Sequence, residues 1–212
     1  MILYYGADSI VTKPVFGKGN PSNDYGLGFY LTPNEIMAKL WASRFSPNGY
    51  LIKYELDEKK LNILYLNTNT NIDVLKWITL LVSHRFSKDA YAQNKATIDW
   101  LKNNYYPNIE QYDMVVGYRA DDSYFKYSEE FVTDNLSLEK LEEAMKLGKL
   151  GLQYVLMSKK AFNSIKYISH KEVKHTDEYE KFRYETLQQY KSIKDSDSIN
   201  NTFIRDIMRN KL

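Results

Sequence analysis

The stretch Asp24-Tyr25-Gly26-Leu27-Gly28-Phe29-Tyr30-Leu31-Thr32 carries more information about this chain than any other segment. Its two glycines stand one residue apart, and they allow the backbone to turn sharply and to lie close to a ligand. An aromatic strand follows directly, in which Phe29 and Tyr30 point to opposite faces because side chains alternate along a strand. We therefore expect one ring to pack in the core and the other to face a pocket.

A helix start follows this strand without a break. The run Thr32-Pro33-Asn34-Glu35 matches a capping box, with Thr32 as the cap and proline at the first helical position. The helix is expected to end near Phe45, and the loop before the strand covers 6–28. Hydrophobic periodicity predicts the remaining elements. Strands are expected at 2–5, 50–56, 61–66, 113–117, 152–157 and 165–168, and helices at 72–86, 92–105, 136–147, 176–190 and 198–208.

The order of these elements limits the fold class. Strands and helices do not alternate as in a doubly wound sheet, and no G-x-G-x-x-G motif follows a strand, which argues against a Rossmann fold. Short scattered strands with an inserted helical block predict an α+β fold. From Lys171 onward the pattern changes to charged, amphipathic helices. We therefore expect one domain over 1–170 and a helical C-terminal extension over 171–212.

Composition excludes several kinds of site. The 212 residues contain no cysteine, which rules out disulfides, thiolate metal sites and cysteine nucleophiles. His84, His170 and His175 share no ligand spacing, so no metal site is predicted. With 29 basic and 27 acidic side chains, charge alone does not indicate a nucleic-acid partner. The 19 tyrosines fit both an AT-rich genome and a surface on which bases or sugars stack.

The sequence also predicts where the protein acts. The longest apolar stretch, around Trp77 to Val82, is too short to span a bilayer. The first residues lack the basic start and the apolar stretch of a signal peptide. We therefore expect a cytoplasmic protein with no membrane partner.

A dense polar cluster follows the apolar strand at 113–117. Arg119 is suited to grip a pyrophosphate through two parallel hydrogen bonds. Asp121 or Asp122 is suited to act as a general base or to position an acceptor. The alternative is a salt-bridged Arg–Asp turn that caps the next helix, and the sequence leaves both interpretations open.

Four segments resemble motifs of a bacterial family in the ADP-ribosyltransferase superfamily. They are Leu3-Tyr4-Tyr5-Gly6, the run 26–32, the run 117–125 and Leu150-Gly151-Leu152-Gln153. The likeness covers roughly residues 1 to 168. It implies a split, mostly antiparallel β core of ADP-ribosyltransferase type, with NAD⁺ in the cleft between two half-sheets. The implied reaction transfers ADP-ribose from NAD⁺ to an acceptor and releases nicotinamide, in a toxin or a phage-defence effector.

The resemblance also implies residue roles. Tyr5 stands where the family has a histidine that holds the adenosine ribose, and Tyr30 is the ring that stacks on nicotinamide. Gln153 would hold the 2′-hydroxyl of the nicotinamide ribose, but it offers no negative charge to an oxocarbenium-like transition state. This Tyr-Tyr-Gln pattern departs from His-Tyr-Glu at two positions. The predicted cofactor-binding residues are Tyr5, Gly6, Gly28, Tyr30 and Thr32, and the predicted catalytic residues are Gln153, Arg119, Asp121 and Asp122.

Other functions stay open on the sequence. One is a binding module that kept the cleft for NAD or a nucleotide and lost the chemistry, which the two departures favour. Another is a nucleic-acid-interacting protein, which the tyrosines and the long early loop favour. For a transferase, the acceptor is a protein or a nucleic acid, and an antitoxin or regulatory protein is an expected partner.

Overall fold

The computed structural model of the chain describes residues 1–67, 70–119, 122–147 and 151–210, and for residues 122–125 and 210 it describes the backbone alone. The strands are β1 (Ile2–Ala7), β2 (Phe29–Leu31), β3 (Asn48–Leu56), β4 (Ile63–Leu66), β5 (Met114–Tyr118), β6 (Leu152–Leu156) and β7 (Ile165–Lys174). The helices are α1 (Glu35–Ala42), α2 (Asn71–Arg85), α3 (Lys88–Gln93), α4 (Lys95–Tyr105), α5 (Asp122–Val132), α6 (Leu138–Met145), α7 (Lys159–Asn163), α8 (Glu178–Asp195) and α9 (Ile204–Asn210), with a 3₁₀ turn at Ile109–Gln111.

The described strands form two sheets. One has the order β1-β3-β7 and is antiparallel throughout. The other has the order β2-β6-β5-β4, in which β4 and β5 run parallel and the other pairs run antiparallel. A helical block, α2 to α4, is inserted between β4 and β5. The predicted mixed architecture with mostly antiparallel pairing is therefore confirmed.

The two sheets meet where β1 passes the end of β2. The backbone N–H of Tyr4 donates to the carbonyl of Thr32 over 2.8 Å, and the N–H of Thr32 donates back to Tyr4 over 3.0 Å. Gly6 lies beside this seam, and a Cβ there would come 2.2 Å from the carbonyl oxygen of Ala38. Glycine at this position therefore allows α1 to pack directly onto β1, which closes one side of the seam.

The first helix starts later than the capping box predicts. Thr32 still has extended backbone, because it is held in the bridge to Tyr4. The N-cap is Asn34, whose side chain accepts a hydrogen bond from the N–H of Met37 over 3.2 Å. The helix ends at Ala42, earlier than predicted. A tertiary contact has overridden a local capping signal, and Thr32 belongs to the sheet rather than to the helix.

The helical block contributes most of the larger core. Nine residues of α2 are buried, among them Trp77, which is only 1% exposed. The indole N–H of Trp77 donates to the carbonyl of Tyr118 over 2.9 Å and so anchors the end of β5. The helix predicted over 92–105 is interrupted, since α3 and α4 meet at Asn94.

The last strand is longer than predicted. β7 pairs with β3 from Ile165 to Lys174, so the predicted boundary at residue 170 falls inside the strand. The prediction of helix from Lys171 onward is wrong, and α8 begins only at Glu178. The reason is that β7 has a single neighbour in its sheet and exposes most of its residues. An edge strand of this kind needs little apolar alternation, which is the signal that sequence reasoning uses.

Candidate functional site

A cavity of about 430 Å³ opens at the seam between the two sheets. Its walls come from β1, the loop before β2, β2 itself, α1, the end of α2, the residue after β5, the start of β6 and the start of α8. It contains all the predicted cofactor-binding residues and two of the predicted catalytic ones: Tyr5, Gly6, Gly28, Tyr30, Thr32, Arg119 and Gln153. These residues come from four separate segments of the sequence, which the fold brings together.

The structure does not describe the side chains of the two predicted acidic residues. Asp121 lies outside the described residues. Asp122 is the first residue of α5, and only its backbone is described. Their predicted roles, to act as a general base or to position an acceptor, therefore stay predictions.

Tyr30 is held by its hydroxyl as well as by its ring. The hydroxyl donates to the carbonyl of Gly26 over 2.6 Å and accepts from the N–H of Tyr25 over 3.1 Å. Burial, followed by the nearby charge of Asp24, raises the pKa of Tyr30, so the hydroxyl keeps its proton. The ring therefore stands at a fixed position in the cavity wall.

The glycines of the stretch 24–32 serve the protein's own packing. Gly26 has φ of +75°, and a Cβ there would also lie 2.7 Å from Cε1 of His84. Gly28 lines the cavity, but a Cβ on it would meet Cγ1 of Val155 at 2.6 Å. The sequence predicts that both glycines let the backbone approach a ligand. Close packing of Gly26 against α2 and of Gly28 against β6 already requires glycine at these positions.

The neighbouring loop is fastened to the end of β5. The fully buried Tyr25 donates its hydroxyl to the carbonyl of Tyr118 over 2.6 Å. The same carbonyl accepts the indole N–H of Trp77. Because Asp24 directly precedes Tyr25 and Arg119 directly follows Tyr118, these two bonds set the positions of both charged residues.

Phe29 and Tyr30 pack in different cores, as alternation along a strand requires. Phe29 joins the cluster between the sheets, with ring centroids 4.8 Å from Tyr5 and 5.7 Å from Tyr54. Tyr30 packs instead against the core around α2. Burial is the main cause that raises the pKa of Tyr5. Tyr5 thus offers the cavity a neutral hydroxyl on a ring that Phe29 supports.

Positive charge dominates the described part of the cavity wall. Its basic residues are Lys18, Arg44, Arg85 and Arg119, and its one acidic residue is Asp24. Arg85 forms an ion pair with Asp24 over 2.8 Å, and the described lining residues include four basic side chains and one acidic one. A wall of this kind favours an anionic ligand.

Two of the arginines lie against aromatic rings. The guanidinium carbon of Arg119 is 3.1 Å from the centroid of the Trp41 ring, and that of Arg44 is 4.6 Å from the same centroid. Arg44 also lies 5.7 Å from the ring of Tyr179, in the first turn of α8. Cation–π contacts of this kind hold the guanidinium groups in place. They form one end of the cavity as a basic and aromatic surface.

A polar group of three residues forms the other wall. Arg85 donates to Oδ1 of Asp24, and Nε2 of Gln153 donates to Oδ2 over 3.1 Å. Gln153 is only 5% exposed, and its Oε1 has no hydrogen-bond partner among the described residues. A buried acceptor without a donor costs about 1–3 kcal/mol. A ligand that donates a hydrogen bond to Oε1 would recover that cost.

Sequence reasoning missed several residues of this site. Asp24 heads the stretch 24–32, yet no local pattern gave it a role. The pairing of Trp41 with Arg44 had a detectable signal, since the two lie three residues apart at the end of a predicted helix. Arg85 and Tyr179 had none, because only the folded chain brings them to the cavity.

The described ranges hold neither a cluster of metal-ligating side chains nor a helix that could span a bilayer. Within them, no three or more His, Asp or Glu side chains are close enough to hold a metal ion. None of the helices described is at once long enough and apolar enough to cross a bilayer.

Comparison with known proteins identifies a family. The family model described as "Protein of unknown function (DUF3990)" matches residues 1–167, which include both sheets except the end of β7. No curated protein and no solved structure matches the chain. Because the match covers well over half of the sequence, the chain belongs to the DUF3990 family.

Proposed function

We propose that the cavity binds NAD⁺ and that the protein transfers ADP-ribose from NAD⁺ to a macromolecular acceptor. The observation that carries this proposal is the convergence of Tyr5, Tyr30 and Gln153 in one cavity at the seam between two sheets. The resemblance implies a single cleft between half-sheets for these same three residues. The proposal includes the finer fold assignment, in which the two sheets are the halves of an ADP-ribosyltransferase core.

The chemistry of the wall supports this choice of ligand. NAD⁺ carries a doubly anionic pyrophosphate between two ring systems. Arg44 and Arg119, which both lie against the ring of Trp41, offer guanidinium groups for the pyrophosphate, and Tyr30 offers aromatic surface. The cavity volume of about 430 Å³ lies within the usual range for small-molecule sites.

In the proposed reaction, the bond between C1′ of the ribose and the nicotinamide nitrogen breaks. Its electron pair leaves with nicotinamide, which departs as a neutral molecule, and positive charge develops on the ribose. A nucleophilic oxygen or nitrogen of the acceptor then bonds to C1′ and loses its proton to a base or to water. Tyr30 would stack on the nicotinamide, Tyr5 would contact the adenosine ribose and Gln153 would hold the nicotinamide ribose. The toxin or phage-defence role that the resemblance implies belongs to the same proposal.

A second candidate function is NAD⁺ binding without turnover. The identity of residue 153 favours it, because an amide places no net charge beside the developing cation. The two functions predict the same affinity for NAD⁺ and differ only in whether nicotinamide is released.

One experiment separates these outcomes. Purified protein is heated with and without millimolar NAD⁺, and nicotinamide is measured in the same samples, with cell extract as a source of acceptor. A raised unfolding midpoint with nicotinamide released supports the transferase, and a raised midpoint without release supports the binding module. No rise in midpoint would show the proposed ligand to be wrong.

Matched arginine variants locate the binding. Arg119→Met keeps an unbranched chain against Trp41 but removes the charge, and we expect it to lose most of the NAD⁺-dependent rise. Arg205→Met is the control, because Arg205 is half exposed on α9, where it pairs with Asp134 away from the cavity. Equal behaviour of the two variants would place NAD⁺ outside the cavity.

A further inference from the structure

The orientation of the Gln153 amide is set by its neighbour. Asp24 forms an ion pair with Arg85, and its carboxylate therefore offers only acceptor atoms to the glutamine. The nitrogen Nε2 must then face Asp24, and the distance of 3.1 Å agrees with a hydrogen bond. The carbonyl oxygen Oε1 is left as the acceptor of a buried side chain that lines the cavity, without a partner among the described residues.

Asp24 is itself held rigidly. It precedes Tyr25, whose hydroxyl and N–H are bonded to Tyr118 and Tyr30. Both oxygens of its carboxylate accept a hydrogen bond, one from Arg85 and one from Gln153. A side chain fastened in this way can fix the geometry of a neighbour that contacts a ligand.

We infer that Asp24 is a positioning residue that directs Oε1 of Gln153 toward a ribose hydroxyl of the bound ligand. The inference rests on the proposed function and adds to it a role for Asp24. With this orientation, the negative end of the amide dipole faces the ribose that carries positive charge in the transfer step. With the amide turned by half a rotation, its N–H groups would face the same charge. Asp24 thereby compensates in part for the carboxylate that residue 153 lacks.

An exchange of the two side chains tests this arrangement. In Asp24→Asn, an amide faces an amide, so Gln153 can turn and present either end to the ligand. In the double variant Asp24→Asn/Gln153→Glu, the asparagine amide donates a hydrogen bond to the new carboxylate. The other carboxylate oxygen then faces the cavity as a hydrogen-bond acceptor. The affinity for NAD⁺ is measured by calorimetry, and the unfolding midpoint of each variant is measured without NAD⁺.

We expect Asp24→Asn to weaken NAD⁺ binding by about tenfold, and the double variant to regain most of that loss. A residue with a merely structural role would give no such recovery. Asp113→Asn is the matched control, since Asp113 is a second hydrogen-bonded carboxylate and lies outside the cavity wall. Its affinity for NAD⁺ should equal that of the wild type. Wild-type affinity in Asp24→Asn, or a double variant as weak as Asp24→Asn, would overturn the inference.

The unfolding midpoints give a second readout that needs no ligand. Gln153→Glu alone places two carboxylates side by side, so its midpoint should fall below that of the wild type. Adding Asp24→Asn should restore the midpoint, whereas a fall that persists would show that the amide does not face Asp24 and would overturn the inference. Absence of NAD⁺ binding by the wild-type protein overturns the proposed function instead, and the midpoints then decide the amide orientation alone.

Discussion

Two aspartates, Asp113 and Asp24, lie near opposite ends of the strand pair β5 and β6, and their surroundings differ. Asp113 precedes β5, where its Oδ1 accepts from Ser158 over 2.6 Å and its Oδ2 accepts from the N–H of Asn62 and from Lys160, each over 2.9 Å. Burial, the largest single influence, acts to raise the pKa of Asp113, but these donors together lower it to about 2. Both carboxylate oxygens of Asp113 are thus hydrogen-bonded within the protein, and the hydroxyl of Ser158 also accepts from the N–H of Ala161.

Asp24 lies near the other end of that strand pair, beside Gln153, which stands opposite Gly117 in the register. Asp24 also accepts hydrogen bonds from a cation, Arg85, and from a neutral donor, Gln153. The Oε1 atom of Gln153, however, has no hydrogen-bond partner among the described residues. Complete hydrogen bonding around Asp113 is typical of a structural tie. The buried Oε1 of Gln153, which has no hydrogen-bond partner among the described residues, is typical of a site built for a ligand.

The largest expected effect comes from removing a basic ion-pair partner of an aspartate. Arg85→Met removes an ion-pair partner of Asp24, whose side chain is only 7% exposed. We expect the free energy of unfolding to fall by about 3 kcal/mol, because a nearly buried carboxylate loses its counter-charge. Urea denaturation at neutral pH measures this change.

The matched variant at the other carboxylate is Lys160→Met. The side chain of Lys160 is 53% exposed, so its ion pair with Asp113 is largely screened by water. Its removal should cost no more than about 1 kcal/mol. Equal costs for the two variants would mean that burial does not distinguish the two carboxylates.

An effect intermediate between those of Arg85→Met and Lys160→Met concerns stability in acid. Asp113→Asn should lower the free energy of unfolding by about 2 kcal/mol at neutral pH, since the pKa of Asp113 is lowered from 3.8 to about 2. A lowered pKa stabilises the fold above the unfolded-state value, and this contribution is lost as the pH falls. The difference between variant and wild type should therefore shrink between about pH 4 and pH 2.

Denaturation curves at a series of pH values test this prediction. Asp8→Asn is the control, since Asp8 is exposed in the loop after β1. A difference that stays constant down to pH 2 would show that the Asp113 charge is not the source of the stability.

A small effect is also expected at Tyr30, which contributes both to core packing and to the cavity wall. Tyr30→Phe loses the hydroxyl bonds to Gly26 and Tyr25 but keeps the ring. We expect a loss of about 1 kcal/mol in stability and an NAD⁺-dependent midpoint rise close to that of the wild type. Tyr30→Leu, which keeps apolar volume without a ring, should lose that rise. If the leucine variant binds NAD⁺ as well as the phenylalanine variant, Tyr30 does not stack on nicotinamide.

Local patterns predicted the elements in which apolar side chains recur with the period of a strand or a helix. The alternation over 50–56 lies within β3, and the apolar spacing over 72–86 matches α2 closely. Local patterns failed where contact with a residue distant in the sequence sets the bounds of an element. Thr32 does not cap α1 because it is bridged to Tyr4, and β7 extends to Lys174 because it pairs with β3.

The residues of the candidate site also fall into two groups, those in local motifs and those placed by distant contacts. The sequence pointed to Tyr5, Tyr30, Arg119 and Gln153 through short motifs, each of which is a local pattern of residues. It did not point to the role of Asp24, since the contact between Asp24 and Gln153 joins residues 129 positions apart. A motif of a few residues carries no information about which side chain will face it across such a distance.

The sequence by itself determined what chemistry is excluded and where the chain turns. The absence of cysteine removes whole classes of site, and the glycines and apolar periodicities act over a few residues. The tertiary structure alone decided which charges are paired and which end of the Gln153 amide faces the cavity. Hydrogen bonds and ion pairs depend on distances of about 3 Å between atoms, and such distances are set only when the whole chain has packed.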